Sequence, residues 1–163
     1  MERVSSLQIE PIADGPNGAA RSQVRYGGRL GPVLGGAVLE AALGWRNFLL
    51  VFLTQDIPQE DSLDITLLGP DLALLDRAVL AMPYATGRFA LEPLEPGPIV
   101  RFRFFNPETI VFTLTCLPSP NRGLTLPLIS EPRGVWRPDW TQRHFRISRL
   151  THERPKGAFG SQP

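Results

Sequence analysis

The stretch "IVRFRFFNPETIVFTLTC", residues 99–116, consists of two runs in which apolar and polar side chains alternate. Because successive side chains of a β-strand point to opposite faces, each run has one apolar face and one more polar face. In the first run these faces comprise Val100, Phe102 and Phe104, and Arg101, Arg103 and Phe105. In the second they comprise Ile110, Phe112, Leu114 and Cys116, and Thr109, Val111, Thr113 and Thr115. With residues 106–108 as a turn, the pattern predicts an antiparallel β-hairpin whose arginines and threonines pair across the solvent face.

The same arginines and phenylalanines are also the residue types of a surface that stacks and clamps nucleic acid. Such a surface needs aromatic rings on the same exposed face as the cations. Here the alternation places Phe102 and Phe104 opposite the arginines, and only Phe105 shares their face. The stretch therefore favours a hairpin over a nucleic-acid platform.

The remainder of the chain repeats this pattern of short apolar runs between turn residues. Its 163 residues include 17 prolines and 15 glycines, which favour many short elements over a few long helices. The run "NFLLVFLTQ", residues 47–55, is apolar on both faces, as expected of a strand covered on each side. We predict one domain over residues 1–150, a mainly antiparallel β-sandwich or flattened barrel of about eight or nine strands. Residues 151–163 are predicted to form a disordered tail.

Three segments have ambiguous patterns. Residues 36–43 are compatible with a two-turn helix or a buried strand, and their alanine, leucine and glutamate content favours the helix. Residues 71–80 are favoured as a strand, because in a helix Asp76 would lie beside Leu72 on the apolar face. The proline-punctuated run "LTLPLI", residues 124–129, is compatible with an edge strand.

The charges are unevenly distributed although the net charge is only +1. Residues 1–100 carry 7 basic and 12 acidic side chains, whereas residues 101–163 carry 10 basic and 4 acidic ones. Such asymmetry can mark a nucleic-acid face, but the basic part contains no known nucleic-acid-binding motif, so that partner is not favoured. The amino terminus lacks the pattern of a secretory signal, and Glu40 and Arg46 interrupt the longest apolar stretch. We therefore expect a soluble, cytoplasmic protein without a membrane span.

The standard motifs of catalysis and cofactor binding are missing from the sequence. It contains no phosphate-binding P-loop, GxGxxG, HExxH, CxxC or GxSxG pattern, and we expect neither a cofactor nor a metal site. The single cysteine, Cys116, falls on the apolar face of a predicted strand, where a thiol behaves as a small hydrophobic group. The acidic cluster of Asp56, Glu60, Asp61 and Asp64 lacks the spacing of a calcium loop and is interpreted as a solvated turn.

One segment has the composition of a binding surface: "VWRPDWTQRHFR", residues 135–146. Tryptophan and arginine dominate the hot spots of protein interfaces. The candidate binding residues are Trp136, Arg137, Trp140, Arg143 and Arg146. The same residues are also suited to a structural flap, with the rings covering an open end of the sandwich and the arginines outside, and this structural interpretation is the favoured one.

The sequence thus leaves two classes of function. The favoured one is a non-catalytic β domain that binds another protein, or a second copy of itself, as an adaptor, inhibitor or assembly accessory protein. The alternative is a small carbohydrate-binding protein or hydrolase whose site is assembled only in three dimensions. A concave pocket that gathers acids or aromatic rings would indicate the second class, and a flat exposed apolar patch the first.

Overall fold

A computed structural model of the chain describes residues 1–15, 18–57, 61–85, 87–105, 110–121, 131–137 and 142–150. Within these residues the backbone forms thirteen strands. In chain order the strands are β1 (Glu2–Arg3), β2 (Gln8–Ile12), β3 (Arg21–Tyr26), β4 (Arg29–Gly35), β5 (Val38–Trp45), β6 (Phe48–Thr54), β7 (Leu63–Leu68), β8 (Leu74–Leu80), β9 (Ala90–Leu91), β10 (Ile99–Arg103), β11 (Val111–Asn121), β12 (Val135–Trp136) and β13 (Arg143–Leu150).

The strands form three antiparallel sheets. A six-stranded central sheet has the order β1-β5-β6-β7-β8-β12, a four-stranded sheet the order β13-β11-β10-β9, and a three-stranded sheet the order β2-β3-β4. Each sheet has two separate edges, so the predicted mainly antiparallel β fold is confirmed as a sandwich and not a closed barrel. Eight or nine strands were too few, because β1, β9 and β12 have two residues each and are too short for an alternating pattern.

The central sheet is buried on both faces, and β6 shows this most clearly. Leu50 and Phe52 point into a hydrophobic cluster shared with the four-stranded sheet. Leu49, Val51 and Leu53 point into a second cluster shared with the three-stranded sheet. The prediction of a doubly covered strand in residues 47–55 is therefore confirmed. Since each fully buried side chain of this size contributes roughly 1.5–3 kcal/mol, losing either outer sheet would expose a large part of the core.

The predicted hairpin is formed by β10 and β11. Phe102 is the cross-strand partner of Phe112, and Arg101 is the partner of Thr113, as the alternation indicates. The ring of Phe102 stacks on that of Phe112 at a centroid distance of 5.6 Å and an interplanar angle of 19°. It also meets Phe52 of the central sheet edge-on at 5.5 Å, so these rings join the two sheets. The turn residues 106–109 lie outside the described part of the chain.

Two residues of this hairpin differ from the predicted faces. Phe105, expected beside the arginines, is only 8% exposed. Its φ of +66° turns the chain at the end of β10, and its ring packs against Phe104 and Phe112 at centroid distances of 4.8 and 6.2 Å. Val111, expected on the wetter face, is buried between its cross-strand neighbours Arg103 and Leu150. A strict alternation of apolar and polar residues predicts neither the burial of Phe105 nor that of Val111.

The helix predicted for residues 36–43 is wrong, because this segment belongs to β5, which pairs with β6 along its length. Ala41 and Leu43 enter one hydrophobic cluster and Ala42 the other, so pairing in a doubly covered sheet overrides the helix propensity of these residues. The strand predicted in residues 71–80 is confirmed as β8. The described residues contain no helix with the length and apolar character needed to cross a bilayer. The edge strand predicted for residues 124–129 and the tail at 151–163 lie outside the described residues.

We predict that Phe112→Ala lowers the free energy of unfolding by about 3–5 kcal/mol, because it removes a buried ring from the junction of two sheets. The measurement is urea denaturation followed by circular dichroism. Tyr84→Ala is the matched control, since that ring is 92% exposed and its loss should change the free energy by no more than about 0.5 kcal/mol. Equal effects of the two substitutions would contradict the packing described for Phe112.

Candidate functional site

The candidate binding segment enters the fold as β12, an edge strand of the central sheet. Val135 pairs with Leu80 and Trp136 pairs with Val79 of β8. Trp136 is 67% exposed, whereas the side chain of the next residue, Arg137, is only 5% exposed. The two interpretations of this segment therefore apply to different residues. The Trp136 indole is accessible, as a binding residue must be, and the Arg137 guanidinium is buried, as a structural residue would be.

Arg137 is held by two carboxylates and an aromatic ring. Its Nη1 donates a hydrogen bond to Oδ1 of Asp76 at 2.9 Å, and its Nε donates to both carboxylate oxygens of Glu131 at 2.9 Å. Its Nη2 donates to Oε1 of Glu131 at 2.6 Å and to the backbone carbonyl of Phe145 at 3.1 Å. The guanidinium also lies 4.4 Å from the centre of the Phe145 ring. Arg137 therefore has a structural role, because it fixes the positions of Asp76, Glu131 and Phe145 relative to one another.

Asp76, on β8, is the fully buried partner of this arrangement. Its Oδ2 accepts the backbone N–H groups of His144 and Phe145 at 2.7 and 3.1 Å. These two residues lie near the start of β13 in the four-stranded sheet, so a single carboxylate connects the central sheet to that sheet and to Arg137. A buried charge is tolerated when it is paired and hydrogen-bonded in this way.

Of the remaining candidate residues, the structure describes Arg143 and Arg146, both on β13. Trp140 lies outside the described residues, and Arg143 is half-buried at the start of β13. Arg146 is exposed between the buried residues Phe145 and Ile147, so it projects from the outer face of the four-stranded sheet. Trp136 belongs to the other face of the central sheet, as its row of cross-strand partners shows. The structure therefore separates Trp136 from Arg146.

That row runs across the central sheet on the face that carries the three-stranded sheet. Leu53, Asp64, Val79 and Trp136 are successive cross-strand partners on β6, β7, β8 and β12. Leu53 is covered by the three-stranded sheet, whereas Val79 is half-buried and Trp136 is exposed. The row thus passes from a covered core to open surface at β12.

Asp64 in this row is a second buried carboxylate, and its ion-pair partner Arg77 is partly exposed. Its Oδ2 accepts Nε of Arg77 at 2.8 Å, and its Oδ1 accepts the hydroxyl of Thr66 at 2.9 Å. Burial raises the pKa of the Asp64 carboxyl, while the bonds from Arg77 act in the opposite direction. Gly35 of β4 fits closely against the pair, since a Cβ there would lie 2.8 Å from Nη2 of Arg77 and 3.0 Å from Oδ2 of Asp64.

Asp64 and Asp76, the fully buried acids among the described residues, do not form a catalytic pair. Asp64 faces the three-stranded sheet and Asp76 the four-stranded sheet, on opposite sides of the central one. Asp61 closes a turn, with its Oδ1 accepting the backbone N–H groups of Gln55 and Ser62 at 2.9 and 2.8 Å, and burial raises its pKa. In the described ranges, no three His, Cys, Asp or Glu side chains converge as ligands of a metal ion.

Cys116 lies on the apolar face of β11 and is fully buried, as the sequence predicts. Burial, with a smaller contribution from the negative charge of Asp76, raises the pKa of its thiol to about 12. Since the thiolate is the nucleophilic form, this thiol is unreactive at neutral pH.

A groove of about 450 Å³ opens at one end of the central and three-stranded sheets. Its walls come from the amino-terminal segment at β1 and from three hairpin turns, those joining β3 to β4, β5 to β6, and β7 to β8. The carboxylate among its lining residues is that of Glu2, and Arg29 and Arg46 are its cations. The groove lies on a different part of the fold from Trp136.

Comparison of the chain with models of known protein families, with curated proteins and with solved structures finds no match. The function must therefore be argued from the geometry of the chain itself. Sequence reasoning missed the roles of Asp76 and Glu131 as partners of Arg137. The run "LALLDRAVL" is apolar except for Asp76 and Arg77, and an aspartate in such a run was the available signal, because a buried carboxylate requires a partner.

We predict that Arg137→Met lowers the free energy of unfolding by about 3–5 kcal/mol, since it leaves the Asp76 charge buried without its cation. Arg101→Met is the matched control, because Arg101 forms an ion pair with Glu95 at the surface, and such pairs contribute about 0–1 kcal/mol. Urea denaturation of both variants provides the comparison. A small loss in Arg137→Met, equal to that of the control, would show that the buried network does not hold β12.

Proposed function

We propose that this chain is a non-catalytic β domain that binds another protein through a surface centred on Trp136. The observation that carries the proposal is the 67% exposure of an indole on a strand whose next residue is locked in the core. Tryptophan is among the residues most enriched at interface hot spots, because it offers a large apolar area and a hydrogen-bond donor.

The Arg137 network supports this role because it fixes the backbone that carries the indole. Arg137 donates to Asp76 and Glu131 and stacks on Phe145, which leaves β12 little freedom to rotate. A contact residue that is already fixed in its bound orientation loses less conformational entropy when a partner binds. The structural role of Arg137 and the binding role of Trp136 are thus complementary.

The position of β12 adds a second supporting feature. Among the described residues, β12 is the terminal strand of the central sheet and pairs on one side only, with β8. Edge strands present backbone N–H and C=O groups to which an extended segment of another protein can add. Trp136 and the half-buried Val79 would then supply side-chain contacts beside that backbone pairing.

We predict that Trp136→Ala weakens binding of the protein partner by at least about tenfold, since truncating a hot-spot tryptophan costs roughly 2 kcal/mol or more. The measurement uses the wild-type chain, Trp136→Ala and Tyr84→Ala as tagged baits in lysate of the native host, with quantitative mass spectrometry. Tyr84 is the matched control because it is another highly exposed aromatic residue.

The expected result is one stoichiometric partner that is retained by the wild type and Tyr84→Ala and depleted from Trp136→Ala. Circular dichroism should show that both variants remain folded, because neither ring is part of a hydrophobic core cluster. A partner retained equally by all three baits would place the interface elsewhere. Light scattering that shows a dimer lost in Trp136→Ala would identify a second copy of this chain as the partner.

A further inference from the structure

The free edge of β12 presents backbone groups from the residues on either side of Trp136. The N–H of Ala81 donates to the carbonyl of Gly134 at 2.9 Å, so these two residues form a hydrogen-bonded pair of the antiparallel ladder. Such pairs recur at every second residue, which directs the backbone groups of Trp136 to β8. The backbone groups of Val135 and Arg137 consequently point away from β8.

These outward groups include one acceptor and one donor that are unpaired within the described residues. The N–H of Val135 donates to the carbonyl of Pro132 at 3.1 Å. No described residue donates to the C=O of Val135 or accepts the N–H of Arg137. The acceptor therefore lies one residue before Trp136 and the donor one residue after it. This arrangement is self-complementary, because two copies that run antiparallel about a two-fold axis at Trp136 match the acceptor of each to the donor of the other.

The side chains of β12 do not oppose such pairing. Edge strands are commonly protected from pairing by charged side chains or by proline. The edge strand β2 carries Pro11 and the exposed Glu10, and the edge strand β13 carries exposed arginines. In β12 the exposed side chain is Trp136, and the charge of the following Arg137 is buried and paired with two carboxylates. Two β12 strands can therefore meet without placing exposed like charges opposite each other.

From these observations we infer that β12 pairs with β12 of a second copy of this chain, which joins two central sheets across a two-fold axis. The inference rests on the proposed function, because it names the protein that Trp136 contacts. The C=O of Val135 accepts the N–H of Arg137 from the second copy, and the reverse bond forms on the other side of the axis.

The two Trp136 residues then face each other across the axis. They form a non-hydrogen-bonded pair, whose Cα atoms lie about 4.5 Å apart in an antiparallel ladder. Both indoles point to the same open face of the joined sheet, where aromatic cross-strand pairs stabilise strand pairing. The exposure of Trp136 in the single chain is thus the exposure of half an interface.

The first test is sedimentation velocity of the full chain from micromolar to near-millimolar concentration. We expect the wild type to shift from monomer to dimer as the concentration rises, and Trp136→Ala to weaken the dimer at least about tenfold. Tyr84→Ala is the matched control, because this exposed aromatic residue lies outside β12, and it should dimerise as the wild type does. A dimer that forms equally well in Trp136→Ala would overturn the inference.

The second test asks whether residue 136 faces itself. Trp136→Cys should give a disulfide-linked dimer under mild oxidation, because a Cα separation of about 4.5 Å lies within the range that a disulfide spans, roughly 4.4–6.8 Å. The native Cys116 is buried and does not contribute. Tyr84→Cys, the matched control, should remain largely monomeric under the same conditions. Equal yields of linked dimer from the two variants would contradict pairing about Trp136.

Failure of this inference is distinguishable from failure of the proposed function. A chain that is monomeric at every concentration, but retains a different protein only when Trp136 is present, overturns the two-fold dimer and leaves the binding surface in place. A monomeric chain whose captured proteins are unchanged by Trp136→Ala overturns both.

Discussion

Burial of both faces of β6 is the constraint on which the rest of the structure depends. A strand whose side chains are apolar on both faces is stable only when a layer covers each side, and the central sheet meets this requirement with the four-stranded and three-stranded sheets. Phe52 connects β6 to the ring stack of the β10–β11 hairpin, and Leu53 connects it to the other layer. The hairpin at residues 99–116 is thus one of two covers over the same strand.

The four-stranded cover is also joined to the central sheet by a buried aspartate, Asp76. Asp76 receives backbone N–H groups from β13 and the guanidinium of Arg137, whereas Asp64 pairs with Arg77 against Gly35 of β4. Hydrophobic contact is non-directional, but a buried carboxylate accepts hydrogen bonds only from correctly placed donors. We infer that Asp76 defines how the four-stranded sheet is aligned on the central sheet. The alignment at Asp76 also fixes β12 and so determines where Trp136 is presented.

Local patterns were sufficient to predict the elements whose two faces differ, and also the strand of large apolar residues at 47–55. The hairpin, the covered strand at residues 47–55 and the strand at 71–80 belong to this group. The pattern failed for residues 36–43, because small and aliphatic residues buried on both faces show no period that distinguishes strand from helix. It also failed for Phe105, whose positive φ reverses the expected direction of the side chain.

The candidate site was only partly accessible to sequence reasoning. Composition identified Trp136 and Arg137 together, but it could not show that one is exposed and the other buried. That distinction depends on Asp76, which lies 61 residues before Arg137 in the chain, and pairing over such a distance has no local signature. The groove was missed for the same reason, since its lining residues come together only when three separate turns and the amino-terminal segment converge.

The most direct test of the doubly covered central strand is native-state hydrogen exchange of the individual backbone amides. If β6 depends on both layers, the amides of Leu50, Val51 and Phe52 will exchange only through global unfolding and will be the slowest in the chain. Amides of the outer strand β2, which has one exposed side, will exchange through smaller openings. If the β6 amides instead exchange as fast as those of β2 while the β10–β11 hairpin stays protected, burial of β6 is not the constraint that holds this fold together.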